Sequence, residues 1–390
     1  MRILVAPDSF GGTLSAGQAA TAIADGWRRA APDDRVELCP LSDGGPGFLD
    51  TLQTGLGGTL LSVTVPSPLG EPVPAAVLVV EADGVRTAYI ETAQAIGLPL
   101  VPLDRRDPTV TTTAGVGRLV EAALDAGATR IVVGLGGSAT NDAGAGMLGV
   151  LGVGPGEALE GGGLRLGGIR PADVAGLVDV RERLSGVELV GAYDVDVPLL
   201  GLHGASGGFA AQKGATPEQA QELERSLGHF AQLVGQALGS DLGRPDLLVG
   251  APRAPRLSTV PGTGAAGGLG FGLALLGARL VPGSAVVASA VGLAERIAAV
   301  DLVVTGEGTF DWQSLHGKVV QAVASRALDA AVPTVVLAGQ VALGRREWSA
   351  AGIAGAYAVA TSDEEIAASL ADPSGTLTDR AARLARTWSR

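Results

Sequence analysis

A chain of 390 residues exceeds the size at which a single hydrophobic core stops growing, about 250–300 residues, so two domains are expected. Its net charge of −12 argues against a nucleic-acid partner, which needs a basic face. One cysteine, Cys39, and three scattered histidines exclude a disulfide framework and argue against a Cys/His zinc site. Hydrophobic residues make up 46% but aromatics only 3%, so the core must be built from Ala, Val and Leu, which favours layered α/β packing. No run approaches about 18 apolar residues free of Gly, Pro and charge, and the N-terminal run is too short for a signal peptide. A cytoplasmic protein without a membrane partner is therefore expected.

In chain order, residues 2–6 form a continuous apolar run closed by Pro7, the pattern of a buried parallel strand. The loop Asp8-Ser9-Phe10-Gly11-Gly12-Thr13 follows, and Ser15 is placed to cap an Ala-rich helix reaching about residue 30. Ligands of open α/β sheets bind beyond the carboxyl ends of strands, where Asp8 and Ser9 fall. Residues 36–40 make a second strand, followed by Ser42-Asp43-Gly44-Gly45. Residues 61–65, 75–80 and 87–91 are β-rich and separated by turn residues, the antiparallel entry into a second domain.

Residues 113–125 have helical spacing and lead to an apolar strand at 130–133 and then to Gly-Leu-Gly-Gly-Ser-Ala-Thr-Asn-Asp at 134–142. A strand that ends in clustered glycines and hydroxyls and runs into a small-residue helix leaves backbone N–H groups facing a site suited to an anion. Gly136, Gly137, Ser138, Thr140, Asn141 and Asp142 are the candidates there, although the same glycine pattern also serves a helix packed close to a sheet. Residues 158–168, rich in Gly and Leu, are expected as a surface excursion. A strand at 187–193 ends in Asp194-Val195-Asp196, and Lys213 lies in a loop ahead of a helix at 216–238 that opens with Thr-Pro-Glu-Gln. A second glycine loop at 262–270 supplies Gly264, Gly267 and Gly268 and opens a helix at 269–277.

Strands at 301–305, 333–338 and 355–360 then alternate with helices at 313–330, 345–351 and 364–370, a doubly wound pattern. The loop after the first of these strands carries Glu307, Asp311 and Lys318. The simplest arrangement joins 1–60 and 285–390 as one discontinuous α/β domain and inserts 61–284 as a second, mixed α/β domain.

The loops at strand ends thus hold carboxylates in excess, few cations, two stretches of backbone donors and no His or Cys ligands. That donor set suits Mg²⁺ neutralising a nucleotide, and so phosphoryl transfer. A kinase needs an acid to receive a hydroxyl proton, acids to hold Mg²⁺ and donors for the migrating phosphoryl group. The chain has 26 arginines and only two lysines, Lys213 and Lys318, and both lysines fall in these loops.

Ala6-Pro7-Asp8-Ser9-Phe10, Ser42-Asp43-Gly44-Gly45, the stretch 134–142, Asp194-Val195, Gln212-Lys213-Gly214-Ala215, Gly264-Ala-Ala-Gly-Gly268 and Thr305-Gly-Glu-Gly308 through Gly317-Lys318 resemble, in this order, the bacterial glycerate kinases. The resemblance implies two α/β domains, one flavodoxin-like, with D-glycerate and ATP–Mg²⁺ as substrates. The product implied is 2-phosphoglycerate, or 3-phosphoglycerate if the regiochemistry differs. Asp194 or Asp43 would act as base or Mg²⁺ ligand, Lys213 and Lys318 would stabilise phosphate or carboxylate, and the remaining candidates would bind substrate or nucleotide. The chain departs from the family pattern at Gly11 for a usual Lys, Pro46 for Glu, Phe48 for Thr, Val197 for Asn, and Thr309-Phe310 for Arg and an aliphatic residue. Each lost charged hydrogen bond would cost about 1.5–3 kcal/mol. Arginines from elsewhere would have to substitute, or the chain is a kinase for another hydroxy acid or a catalytically weak relative that binds nucleotide or organic acid.

Overall fold

The computed structural model describes residues 1–238 and 256–389. Thirteen strands form among them. They are β1 (Arg2–Val5) and β2 (Arg35–Leu38); β3 (Thr59–Pro66), β4 (Pro72–Ala82), β5 (Val85–Glu91), β6 (Arg130–Leu135), β7 (Glu188–Tyr193) and β8 (Arg279–Pro282); and β9 (Leu302–Thr305), β10 (Thr309–Phe310), β11 (Thr334–Ala338), β12 (Gln340–Val341) and β13 (Ile353–Ala358). Two compact units result: Met1–Asp43 with Asp50–Gly57 and Gly283–Arg390, and Gly44–Leu49 with Gly58–Pro282. Gly44–Leu49 therefore groups with the second unit although residues before and after it belong to the first. Among the described residues no helix is long and apolar enough to cross a membrane.

The first unit is built on a parallel sheet in the order β13-β11-β9-β1-β2. Counted within the unit this is the 2-1-3-4-5 arrangement of flavodoxin-like folds, and its switch point lies between β1 and β9. Ile3, Leu4 and Val5 are fully buried, as a strand covered on both faces requires. One face packs Ile23, Trp27, Leu377 and Leu384 against Val5 and Val304; the other packs Phe310 and Val320 against Val336. The helix Ala16–Ala30 begins where its cap predicts, with Ser15 and Gln18 forming a reciprocal capping box.

One helical expectation changes here. The helix expected from 313 begins only at Val319, because Gly317 sits at φ +86 and breaks the chain between the 3-10 turn Trp312–Leu315 and Val319–Asp329. A further helix, Pro373–Trp388, lies beyond the last expected element and is capped by Asp372. That helix crosses Ala16–Ala30 so closely that a side chain at Gly26 would collide with the Thr378 carbonyl.

The second unit carries a six-stranded mixed sheet, β3-β4-β5-β6-β7-β8. The β3-β4-β5 meander is antiparallel, and β5 through β8 are parallel. Val77, Ile90, Ile131, Val133, Leu119, Leu148 and Phe230 form its core. Residues 158–168 reach the surface as expected at Leu164, Arg165, Gly167 and Gly168, but the stretch is also packed: Leu159 and Leu166 are fully buried, and Gly163–Gly168 is a 3-10 segment lying on the helix Pro217–Ala237. Its glycines, which read as loop from sequence, permit that approach, since a Cβ on Gly163 would meet Leu223 at 2.7 Å. Pro217–Ala237 itself starts as its sequence predicts, on a Thr216–Gln219 capping box.

Candidate active site

In the first unit the carboxyl ends of β1, β2 and β9 bring Asp8, Asp43, Glu307, Asp311 and Lys318 within electrostatic reach of one another. Leu41 N–H donates to the Pro7 carbonyl at 2.9 Å and Asp8 N–H to the Gly306 carbonyl at 2.8 Å, which ties the three loops together. Asp8 is buried and its Oδ1 accepts from Ser9 N–H at 2.6 Å. Burial, reinforced by the neighbouring Asp43 charge, pushes the Asp8 carboxyl well above its ordinary range.

Burial likewise pushes Glu307 up to about 7, against the opposing influence of Ser314 and Lys318. Its Oε1 is buried without a hydrogen-bond partner. Asp311 caps the 3-10 turn through Gln313 N–H at 2.8 Å, and Lys318 Nζ stands 3.9 Å from Asp43 Oδ2. Four carboxylates against one ammonium leave excess negative charge, which favours uptake of a cation or protons.

Among the described residues no group of three or more His, Cys, Asp or Glu is arranged to hold a metal ion by itself. Mg²⁺ does not require such a cage. It is usually held by one or two carboxylates, with phosphates and water completing its shell. The hard oxygen donors and the orphaned Glu307 Oε1 fit that requirement. The two metal-ligand candidates, Asp43 and Asp194, belong to different units.

In the second unit Gly137, Ser138, Asp194, Lys213, Gly264 and Gly267 line one cavity of ≈ 300 Å³, together with Pro46, Arg106, Phe209, Gln212 and an apolar wall at Leu98 and Pro99. Lys213, expected in a loop, is buried. It closes the 3-10 turn Ala211–Lys213, is only 3% exposed, and donates from Nζ to Ser138 Oγ at 2.9 Å and to the Thr140 carbonyl at 2.7 Å. Burial pulls its ammonium down to about 8, with Asp194 and then Asp142 acting in opposition.

The other predicted residues of this region, Gly136, Thr140, Asn141, Asp142 and Gly268, do not line that cavity. Asp142 is fully buried and takes Thr113 N–H at 2.8 Å, Thr113 Oγ1 at 2.9 Å, Gly144 N–H at 3.1 Å and Gly146 N–H at 3.2 Å. The N-terminal donors of the helix Ala145–Val150, expected to face a bound anion, are thus engaged by the chain's own carboxylate. Asn141 Nδ2 donates to Ser206 Oγ at 2.9 Å while its Oδ1 is buried without a partner.

Thr140 and Gly268 hold the two glycine loops together. Ala143 N–H donates to the Gly267 carbonyl at 3.1 Å, a Cβ on Gly267 would collide with the Thr140 carbonyl, and one on Gly268 would meet Ala143 Cα at 2.7 Å. Ala266, Gly267 and Gly268 are all left-handed, an unusual run that this interlock maintains. Gly136 leaves room for Gly45 and for Asp194, whose Oδ2 a Cβ would meet at 3.2 Å. Phe48 packs edge-on against Tyr89, and Glu91 accepts from Gly47 and Leu49 N–H at 3.1 Å each, which fixes Gly44–Leu49. Gly11 and Thr309 are exposed.

Arg106 and Gln212 are lining residues that strand-end reasoning missed. Gln212 was adjacent to a chosen lysine, whereas Arg106 follows a 3-10 turn, Leu103–Arg105, with no strand before it.

A family model described as the glycerate kinase family matches residues 3–389. A glycerate kinase of Bacillus subtilis (strain 168) is 42% identical over 346 residues, covering 87% of this chain and 85% of the relative. A glycerate 2-kinase of Escherichia coli (strain K12) is 41% identical, covering 87% and 86%. Among solved structures, one named glycerate kinase 2 from Salmonella typhimurium LT2 superposes with a TM-score of 0.80 at 36% identity, covering 99% of this chain and 98% of that one.

Proposed function

The chain belongs to the glycerate kinase family, and on that premise we propose that it transfers the γ-phosphoryl group of ATP to a hydroxyl of D-glycerate, favouring 2-phosphoglycerate. The observation that carries the reading is the buried Lys213, hydrogen-bonded to Ser138 in a cavity that also holds Asp194 and both glycine loops. Asp194 accepts the proton of the attacking hydroxyl. Lys213 and backbone N–H groups of the glycine loops stabilise the charge on the migrating phosphoryl group. Asp43, with Asp8, Glu307 and Lys318 around it, provides carboxylates that would hold Mg²⁺. The ion, when bound, neutralises phosphate charge.

The 2-hydroxyl is favoured because the Escherichia coli relative bears the name glycerate 2-kinase. An ATP donor accords with the cytoplasmic location proposed for the reaction. A coupled assay with D-glycerate, ATP and Mg²⁺ tests the proposal, with ³¹P spectra of the product identifying the hydroxyl. Folded protein that binds ATP yet turns over neither glycerate nor related hydroxy acids would instead identify a binding relative, the alternative suggested by the absent cations at Gly11 and Thr309.

A further inference from the structure

We propose that Arg106 is the carboxylate-recognising residue of the second unit's cavity, reading the substrate as a short hydroxy acid and excluding neutral polyols. The inference rests on the kinase reading and deepens it. Arg106 lines the cavity with Lys213, Ser138 and Asp194. Its Nε makes a long bond of 3.4 Å to the Val101 carbonyl, and among the described residues its terminal nitrogens have no hydrogen bond or ion pair. A guanidinium with both terminal nitrogens uncommitted presents the planar fork that matches a carboxylate bidentately, which an ammonium cannot do.

The two cations are held as neighbours by backbone packing. Gly214, directly after Lys213, adopts φ +103 and lies so close to the Arg106 carbonyl that any side chain there would collide with it. The roles then divide by chemistry. Lys213, donating to Ser138 and the Thr140 carbonyl, is the point charge for phosphoryl oxygens, and Arg106 takes the planar anion. Ligand cavities run from about 300 to 1,000 Å³, and this one, at ≈ 300 Å³, has room for a three-carbon acid.

The test is steady-state kinetics of Arg106→Ala and Arg106→Lys beside the wild type, with KM for D-glycerate and for ATP measured separately and glycerol as a carboxylate-free acceptor. Arg106→Ala should raise KM for D-glycerate about ten- to a hundredfold, leave KM for ATP within about twofold and collapse the preference for glycerate over glycerol. Arg106→Lys should recover only part of the loss. An unchanged KM for glycerate, or a rise confined to ATP, overturns the assignment. Wild-type protein that turns over no glycerate refutes the kinase reading separately. Calorimetric binding of D-glycerate, lost in Arg106→Ala but present in wild type, would then still uphold the carboxylate site, and its absence from wild type would overturn both. Circular dichroism and Arg106→Gln, which keeps the stem, separate misfolding from lost recognition.

Discussion

The two units gather polar residues at strand ends in opposite ways. Beside β1 and β9 the first unit collects four carboxylates around Lys318, and burial raises two of them, Asp8 and Glu307, toward their neutral forms. Beyond β6 and β7 the second unit buries an ammonium and surrounds it with hydroxyl, carbonyl and glycine backbone, so that burial lowers its affinity for a proton. The same desolvation acts on both, with opposite sign because the charges differ. The difference teaches that one region carries surplus negative charge and the other a buried positive charge, the complements of the cation and the phosphoryl group in the proposed transfer.

The comparison breaks most readily at Asp194. Asp194→Asn, if this group is the base, should lower kcat by about 10²–10⁴ with little change in KM for ATP, read by the coupled assay. Lys213→Met should follow with a loss of about 10²–10³ in kcat, as expected on removing a positioned donor to developing charge. The wild-type rate should decline above about pH 8, where the Lys213 ammonium is lost.

Asp142→Ala addresses the scaffold beneath that cavity. It leaves four donors without their acceptor and should cost at least about 3 kcal/mol of stability, measured from the denaturant midpoint. The last test addresses the acidic unit. The Glu307 carboxyl holds its proton in the folded protein up to about pH 7 but in the unfolded chain only to about 4.5. The folded state therefore binds more protons across that window, and stability falls as pH rises through it. Glu307→Gln should remove the fall, stabilising the protein at pH 8 by up to about 3 kcal/mol and by nothing near pH 4, as thermal unfolding across pH will report.

Local chemistry made much of the fold legible. Ser15, Thr216 and the apolar run after Arg2 located a helix start, a second helix start and a buried strand, because caps and periodicity act over a few residues. Glycine was the ambiguous residue. At Gly163 it read as loop and proved to be close packing, and at Gly317 it broke a helix whose apolar spacing continued through it. Both outcomes depend on what lies opposite, which no window of sequence contains.

The candidate site divides along the same line. Sequence by itself determined the family, the alternation that becomes a flavodoxin-like sheet, and the acids and lysines grouped at strand ends, since parallel sheets place those ends together by topology. Tertiary structure decided which of those groups face a cavity. It turned Asp142 inward onto backbone donors, locked Gly267 and Gly268 against the neighbouring loop, buried Lys213 and brought Arg106 from outside every recognised motif. A side chain's partners are set by the packing of distant segments and by the cost of burying charge, and neither is a property of the residue's own neighbours in the chain.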